Sequence, residues 1–213
     1  MPDLPSLVIV GAGGLGREVA ALVEAINEDA PAWSLAGFVD DADALQDTEV
    51  MGYPVHGRVN ELSRHTASSY VIAIGNGAPR RDVAARLEAT SGRPAILVHP
   101  SVSVHRTTTL DEGTILCTGA APTVGVTIGP HVVVDQHCTV GHDCVLDAFV
   151  TLYPGAHISG SVRLGQGATI GAGAVVLPET TVGPNATVGA GAVVTEDLPA
   201  DCTAVGVPAR PLS

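Results

Sequence analysis

A small α/β domain followed by a parallel β-helix of six-residue repeats is the fold that this sequence predicts, with the boundary between residues 95 and 96. Three observations predict it. Apolar residues make up 46 % of the 213 residues but aromatics only 3 %, so the core must come from small and branched side chains, as in a stack of thin layers. A branched apolar residue recurs at every sixth position from Val98 to Val194, with one exception. Near the N-terminus a short apolar strand runs into a glycine-rich loop and then a helical pattern.

The N-terminal domain, residues 1–95, opens with the apolar run Leu7-Val8-Ile9-Val10, the loop Gly11-Ala12-Gly13-Gly14-Leu15-Gly16 and a helical pattern from Arg17 to about Ile26. This is a G-x-G-x-x-G loop between a strand and a helix, the mark of a Rossmann-like unit. Its glycines permit a tight turn and let backbone N–H groups at a helix N-terminus approach a phosphate. Further strands are expected at Leu35 to Val39 and Tyr70 to Ile74, followed by the turns Asp40-Asp41 and Gly75-Asn76-Gly77, with a helix over Arg80 to Leu87. Three uses of the loop stay open. Asp40, 24 residues beyond Gly16, could hold a ribose as in NAD-binding folds. The loop could instead cradle the pyrophosphate of a nucleotide sugar, with Asp40 or Asp41 meeting base or ribose and Gly75, at the neighbouring strand end, among the substrate contacts. Or the glycines simply make a compact turn, with the acidic pair in solvent.

The second domain, residues 96–213, rests on periodicity. Counting in sixes from Val98, sixteen of the seventeen positions through Val194 are Ile, Leu or Val, Pro122 being the exception. Four places after each falls a small residue in many repeats, among them Ala120, Cys138, Cys144, Ala156, Ala168, Ala174, Ala186 and Ala192. Turn formers such as Gly129-Pro130, Gly165-Gln166-Gly167 and Gly183-Pro184-Asn185 separate the two series. A six-residue period suits neither an amphipathic helix nor a long hairpin. It is the period of a hexapeptide β-helix, and the register is expected to run unbroken to about Pro199.

Composition excludes several functions. The net charge of -12, with ten Lys and Arg in total, argues against nucleic acid as a partner, because phosphate neutralisation needs clustered cations. The chain contains no apolar run long enough to span a membrane, and MPDLPSLVIVGAGG lacks a basic segment and cleavage pattern, so a cytoplasmic protein without membrane contact is expected. Cys117, Cys138, Cys144 and Cys202 form no CxxC pair, and neither a disulfide nor a zinc knuckle is expected.

One histidine stands out. His142 falls two places after inward Val140, hence at a prism corner, where it can serve as a general base for acyl transfer. Gly160 lies 18 residues later, and a coil of three hexads would stack it on His142 with its N–H placed to stabilise a developing oxyanion. Asp143 follows directly and can orient the imidazole. His99, His105, His131, His137 and His157 fall at turns or outward positions and are expected to be solvated.

The segments GAGGLGREVA, FVDD, AIGNG, GHDCVL, PGAHISGSVRLGQGATIGAGAVVLP and GVPAR resemble the PglD/NeuD family of sugar O- and N-acyltransferases across nearly the whole chain. The resemblance implies a left-handed parallel β-helix, in which residues 18 apart stack at about the 4.8 Å strand spacing. It implies acyl-CoA, most simply acetyl-CoA, as cosubstrate, a nucleotide-linked sugar as acceptor, and a homotrimer with sites between subunits. It also places the base on His142, its support on Asp143, and cofactor contacts on Gly160, Ala172, Ala190 and Thr151. The sequence departs from the family at Leu15 and Thr151, where histidines are common, one near the amino-sugar nucleotide and one near the acetyl thioester.

Two other functions compete with acyl transfer. The five-residue spacing of His137 and His142 is similar to that of β-helical γ-class carbonic anhydrases, but the place of a third zinc ligand is taken by Ser101, and no metal is expected. The other is a non-catalytic nucleotide-binding protein.

Overall fold

A computed structural model describes residues 4–64, 69–88 and 90–212. Alternating apolar strands and helical segments near the N-terminus form β1 (Ser6–Val10), α1 (Gly14–Asp29), β2 (Ser34–Val39), a small hairpin of β3 (Glu49–Val50) and β4 (Tyr53–Pro54), β5 (Ser69–Ile72), α2 (Gly77–Leu87) and β6 (Arg93–Pro94). The main sheet has the order β2-β1-β5-β6 and every pairing in it is parallel. Its central strands are buried on both faces, which is why Leu7 to Val10 read as a continuous apolar run. Both helices start a few residues earlier than periodicity indicates, because their first turns are glycines and proline that carry no apolar signal.

From Leu97 the chain winds into a left-handed β-helix of triangular section. Strands of two residues pair in parallel with those 18 positions on, for example Val133 with Thr151, Thr151 with Thr169 and Thr169 with Thr187. The inward residues form one cluster from Leu116 to Ala209 without a single aromatic side chain. Three corners alternate along the chain, and every sixth residue from 113 to 191 has a positive φ there. Positions 113, 131, 149, 167 and 185 build the first corner, 119, 137, 155, 173 and 191 the second, and 125, 143, 161 and 179 the third.

Two register expectations need correction. Val104 is 36 % exposed and lies outside any strand, because the outermost coil has a stacked neighbour on one side only. The hexad count ends at Val194 and does not reach Pro199. Val182 bridges Leu198 and Val188 pairs with Ala204, an offset of 16 in place of 18, so Leu198 takes the inward slot in a shortened last coil.

The two domains share a core. The buried side of α1, Val19, Ala20, Leu22 and Val23, joins one cluster with β1 and with Leu97, Ile115, Cys117 and Val133 of the prism. The α/β domain therefore covers the face between the first and second corners. Arg80 of α2 closes the junction. Its guanidinium donates to the carbonyls of Ile74, Gly75, His131, Phe149 and Val150 and to the Thr151 hydroxyl. All its acceptors are neutral, and burial lowers its pKa to about 10, so it stays protonated at neutral pH and its desolvation is offset by these bonds.

Candidate active site

At the third corner, the hexad places Val140 inward and leaves His142 on the outside, its side chain 62 % exposed. Asp143 takes the left-handed conformation with φ 59°, and its Oδ2 lies 2.9 Å from His142 Nδ1. An ionised carboxylate only accepts, so Nδ1 carries the proton and Nε2 is left with its lone pair toward solvent. The imidazole lies over Gly160. A Cβ built there would stand 2.5 Å from His142 Nε2, so only glycine leaves the ring in place. The Gly160 N–H has no acceptor among the described residues. A base and a free N–H donor thus meet at one bare corner. Cys144, the next residue but one, points inward, donates to the Ser159 carbonyl at 2.9 Å and is held protonated by burial, so it offers no thiolate to the imidazole.

A second group of candidates gathers at the C-terminal edge of the α/β sheet, where the strand order reverses between β1 and β5. Open parallel sheets bind ligands at such points. Gly11 has φ +102°, and a Cβ on Gly16 would fall 2.1 Å from the Gly11 carbonyl, so these two glycines serve the chain's own turn. Gly13 and Gly14 have nothing within 4 Å of a built Cβ, and Gly13 caps α1 without a side-chain bond. The N–H groups of Gly13 and Gly14 have no acceptor among the described residues, and Gly14 borders an open surface with Arg17, Glu18 and Met51. Leu15 is half-buried against the shared core. Asp40 is already engaged, accepting from Ala12 N–H and Ala42 N–H at 2.8 Å each. Asp41 is held by Arg86 at 2.7 Å and by Val59 N–H, and the Arg86 bond pulls its carboxyl below the usual range.

The remaining candidates separate. Ala172 and Ala190 are exposed and stacked at the second corner, with Gly191 N–H donating to the Ala172 carbonyl, whereas Gly160 belongs to the third. Gly75 and Thr151 lie at the domain junction. The expectation that Thr151 contacts the cofactor needs correction, since it is 1 % exposed and its hydroxyl donates to the Gly75 carbonyl and accepts from Arg80. His137 is on the second corner over Gly119, away from His142, and the Ser101 hydroxyl accepts from Gly119 N–H. No group of three potential metal ligands occurs among the described residues.

His131 departs from the expected solvated state. It is 7 % exposed, stacked on Phe149 with centroids 5.3 Å apart, and pushed down to a pKa of about 4 by burial and then by Arg80. Sequence reasoning also passed over Arg80 and Asp135. The latter is 8 % exposed, and burial raises its pKa. None carries a local signal, because each is buried by the other domain.

Residues 6–87 match the PglD N-terminal domain family and residues 161–196 the six-repeat bacterial transferase hexapeptide family. No curated protein sequence matches the chain. Among solved structures, the acetyltransferase domain of PglB from Neisseria gonorrhoeae FA1090, in complex with acetyl coenzyme A, is 35 % identical with a TM-score of 0.91, over 99 % of this chain and 100 % of that one. The chain belongs to the PglD-like family of sugar acetyltransferases. Other PglD-like structures are similar over the same length. A mutant of perosamine N-acetyltransferase from Caulobacter crescentus, in complex with CoA and GDP-perosamine, is 31 % identical with a TM-score of 0.89, covering 99 % of this chain and 98 % of that one. WeeI from Acinetobacter baumannii AYE is 31 % identical with a TM-score of 0.88, covering 99 % and 100 %.

Proposed function

We propose that the protein transfers an acetyl group from acetyl-CoA directly to the amine of a nucleotide-linked amino sugar, with His142 as general base. The observation that carries this reading is the third corner itself: an imidazole with Nδ1 held by Asp143 and Nε2 free above the Gly160 N–H. The similarity to a PglB domain bound to acetyl-CoA and to an N-acetyltransferase bound to CoA and GDP-perosamine supports the cosubstrate and favours an amine over a hydroxyl as acceptor.

In this mechanism the sugar nitrogen attacks the thioester carbon and its proton passes to His142 Nε2. The carbonyl electron pair moves to oxygen, where the Gly160 N–H donates to it, a kind of contact worth roughly 3 kcal/mol in the transition state. Asp143 stabilises the imidazolium. As the tetrahedral intermediate collapses the C–S bond breaks, and His142 returns the proton to the CoA sulfur. Buried, protonated Cys144 supports transfer without an acyl-enzyme.

The acceptor's pyrophosphate would rest on the free N–H groups of Gly13 and Gly14, which no packing within the chain requires to be glycines. Asp40 shapes that loop from beneath. The α/β domain covers the face opposite the His142 corner and leaves that corner bare, and in this reading the bare corner lines a cleft between subunits of a homotrimer. The test is a screen of nucleotide amino sugars with acetyl-CoA, scored by free CoA and by the acetylated sugar in mass spectrometry. Release of CoA without an acetylated acceptor would exclude transfer.

A further inference from the structure

Besides its histidines, the prism carries only two aromatic residues, Phe149 and Tyr153. Phe149 is taken up by its stack on His131. Among the described residues Tyr153 joins none of the apolar clusters, and its hydroxyl makes no hydrogen bond. Inward Leu152 turns it to the outside of the prism face that the α/β domain covers, where it is half-buried. The column of equivalent positions explains its setting. Cys117 and Asp135, two coils and one coil earlier, lie covered at 6 % and 8 % exposure, and Gly171, one coil later, has no side chain. The edge of the α/β domain therefore crosses the prism at Tyr153. A Cβ built on Gly75 would stand 3.5 Å from the Tyr153 hydroxyl oxygen, and one built on Gly11 would stand 3.3 Å from Ile74 Cγ1. Tyr153 thus borders the ends of β1 and β5, where the strand order reverses.

The function proposed above, on which this inference rests, puts the acceptor's pyrophosphate at Gly13 and Gly14 and its reacting amine beside a prism. The sugar must then span the step between the α/β domain and the β-helix. Of the side chains on the prism side of that step, Thr151 is 1 % exposed and bonded to Gly75 and Arg80, and Asp135 is covered. Tyr153 presents a half-open ring and a free hydroxyl. A hexose matches both: its C–H bonds, partly positive, pack on the electron-rich face of the ring, and its oxygens pair with the phenol. Tyrosine offers that contact with only two side-chain torsions to fix. We propose that Tyr153 is an acceptor-binding residue, holding the sugar ring against its aromatic face with its hydroxyl bonded to a sugar oxygen. It serves the sugar, and neither the nucleotide nor acetyl-CoA.

The test uses the full chain, acetyl-CoA and the nucleotide amino sugar that the wild type acetylates fastest, with the matching nucleoside diphosphate as competitor. Tyr153→Ala should raise KM for the sugar by about tenfold or more with a smaller change in kcat, the signature of binding lost from ground and transition states alike. The inhibition constant of the nucleoside diphosphate, which lacks the sugar, and KM for acetyl-CoA should hold. The melting temperature should stay near that of the wild type, because the ring belongs to no apolar cluster. Tyr153→Phe, which keeps the ring and removes the hydroxyl, should raise KM for the sugar by about threefold. The inference alone is overturned, with the proposed transfer intact, if either variant keeps the wild-type KM for the sugar, if the nucleoside diphosphate weakens in parallel, or if KM for acetyl-CoA rises instead. A wild type that acetylates no nucleotide amino sugar overturns the proposed function and this inference together.

Discussion

His131 and His142 sit eleven residues apart on the same β-helix, each stacked over a glycine 18 positions away, and the structure treats them in opposite ways. At the first corner His131 is sealed under the α/β domain, stacked on Phe149 and kept neutral by burial. At the third corner His142 stands in the open with Asp143 at its Nδ1. A repeat makes every corner locally equivalent. What differs is the covering: one corner became a joint and the other was left available for chemistry.

The largest change should come from breaking the joint. Arg80→Met leaves buried carbonyls and the Thr151 hydroxyl without their donor, and a loss of about 3 kcal/mol or more in unfolding free energy is expected, measured by urea denaturation. The His131 corner should also be sensitive to acid. Its folded pKa of about 4 lies below the ordinary histidine value of 6.5, so the unfolded chain binds more protons between the two. Stability from this group is complete above about pH 6.5 and is lost as pH falls toward 4, by up to about 3 kcal/mol. Urea midpoints across that window should fall in the wild type and flatten in His131→Asn, which tolerates the left-handed backbone.

The third corner should respond in activity and not in stability. Gly160→Ala sets a methyl 2.5 Å from His142 Nε2, and because an exposed side chain can swing away, the expected result is about a tenfold drop in kcat with little change in the melting temperature. The smallest effect is assigned to Asp143→Asn, which keeps the turn but removes the charge. A severalfold fall in kcat, about 1 kcal/mol, is expected from steady-state kinetics.

Much of the third corner was legible in the sequence because the hexad assigns inward and outward positions directly: Val140 inward puts His142 outside, and 18 residues put Gly160 over it. The strand, loop and helix from Leu7 to Ile26 were legible for a similar reason. The first corner was not. His131 and His137 occupy equivalent repeat positions, and only the α/β domain, folded back on the prism, buries the former. Arg80 bonds to groups 51 to 71 residues away, a separation that no local pattern encodes, and the same contacts withdraw Thr151 from the cofactor role its position implied.

The central claim is that His142 removes the acceptor's proton. It is tested most directly by the rate of CoA release with acetyl-CoA and an accepted nucleotide amino sugar, comparing wild type with His142→Ala. A fall in kcat of about 100-fold or more, with an unchanged melting temperature because the side chain is exposed, is the predicted result. A variant that keeps the wild-type rate would contradict it.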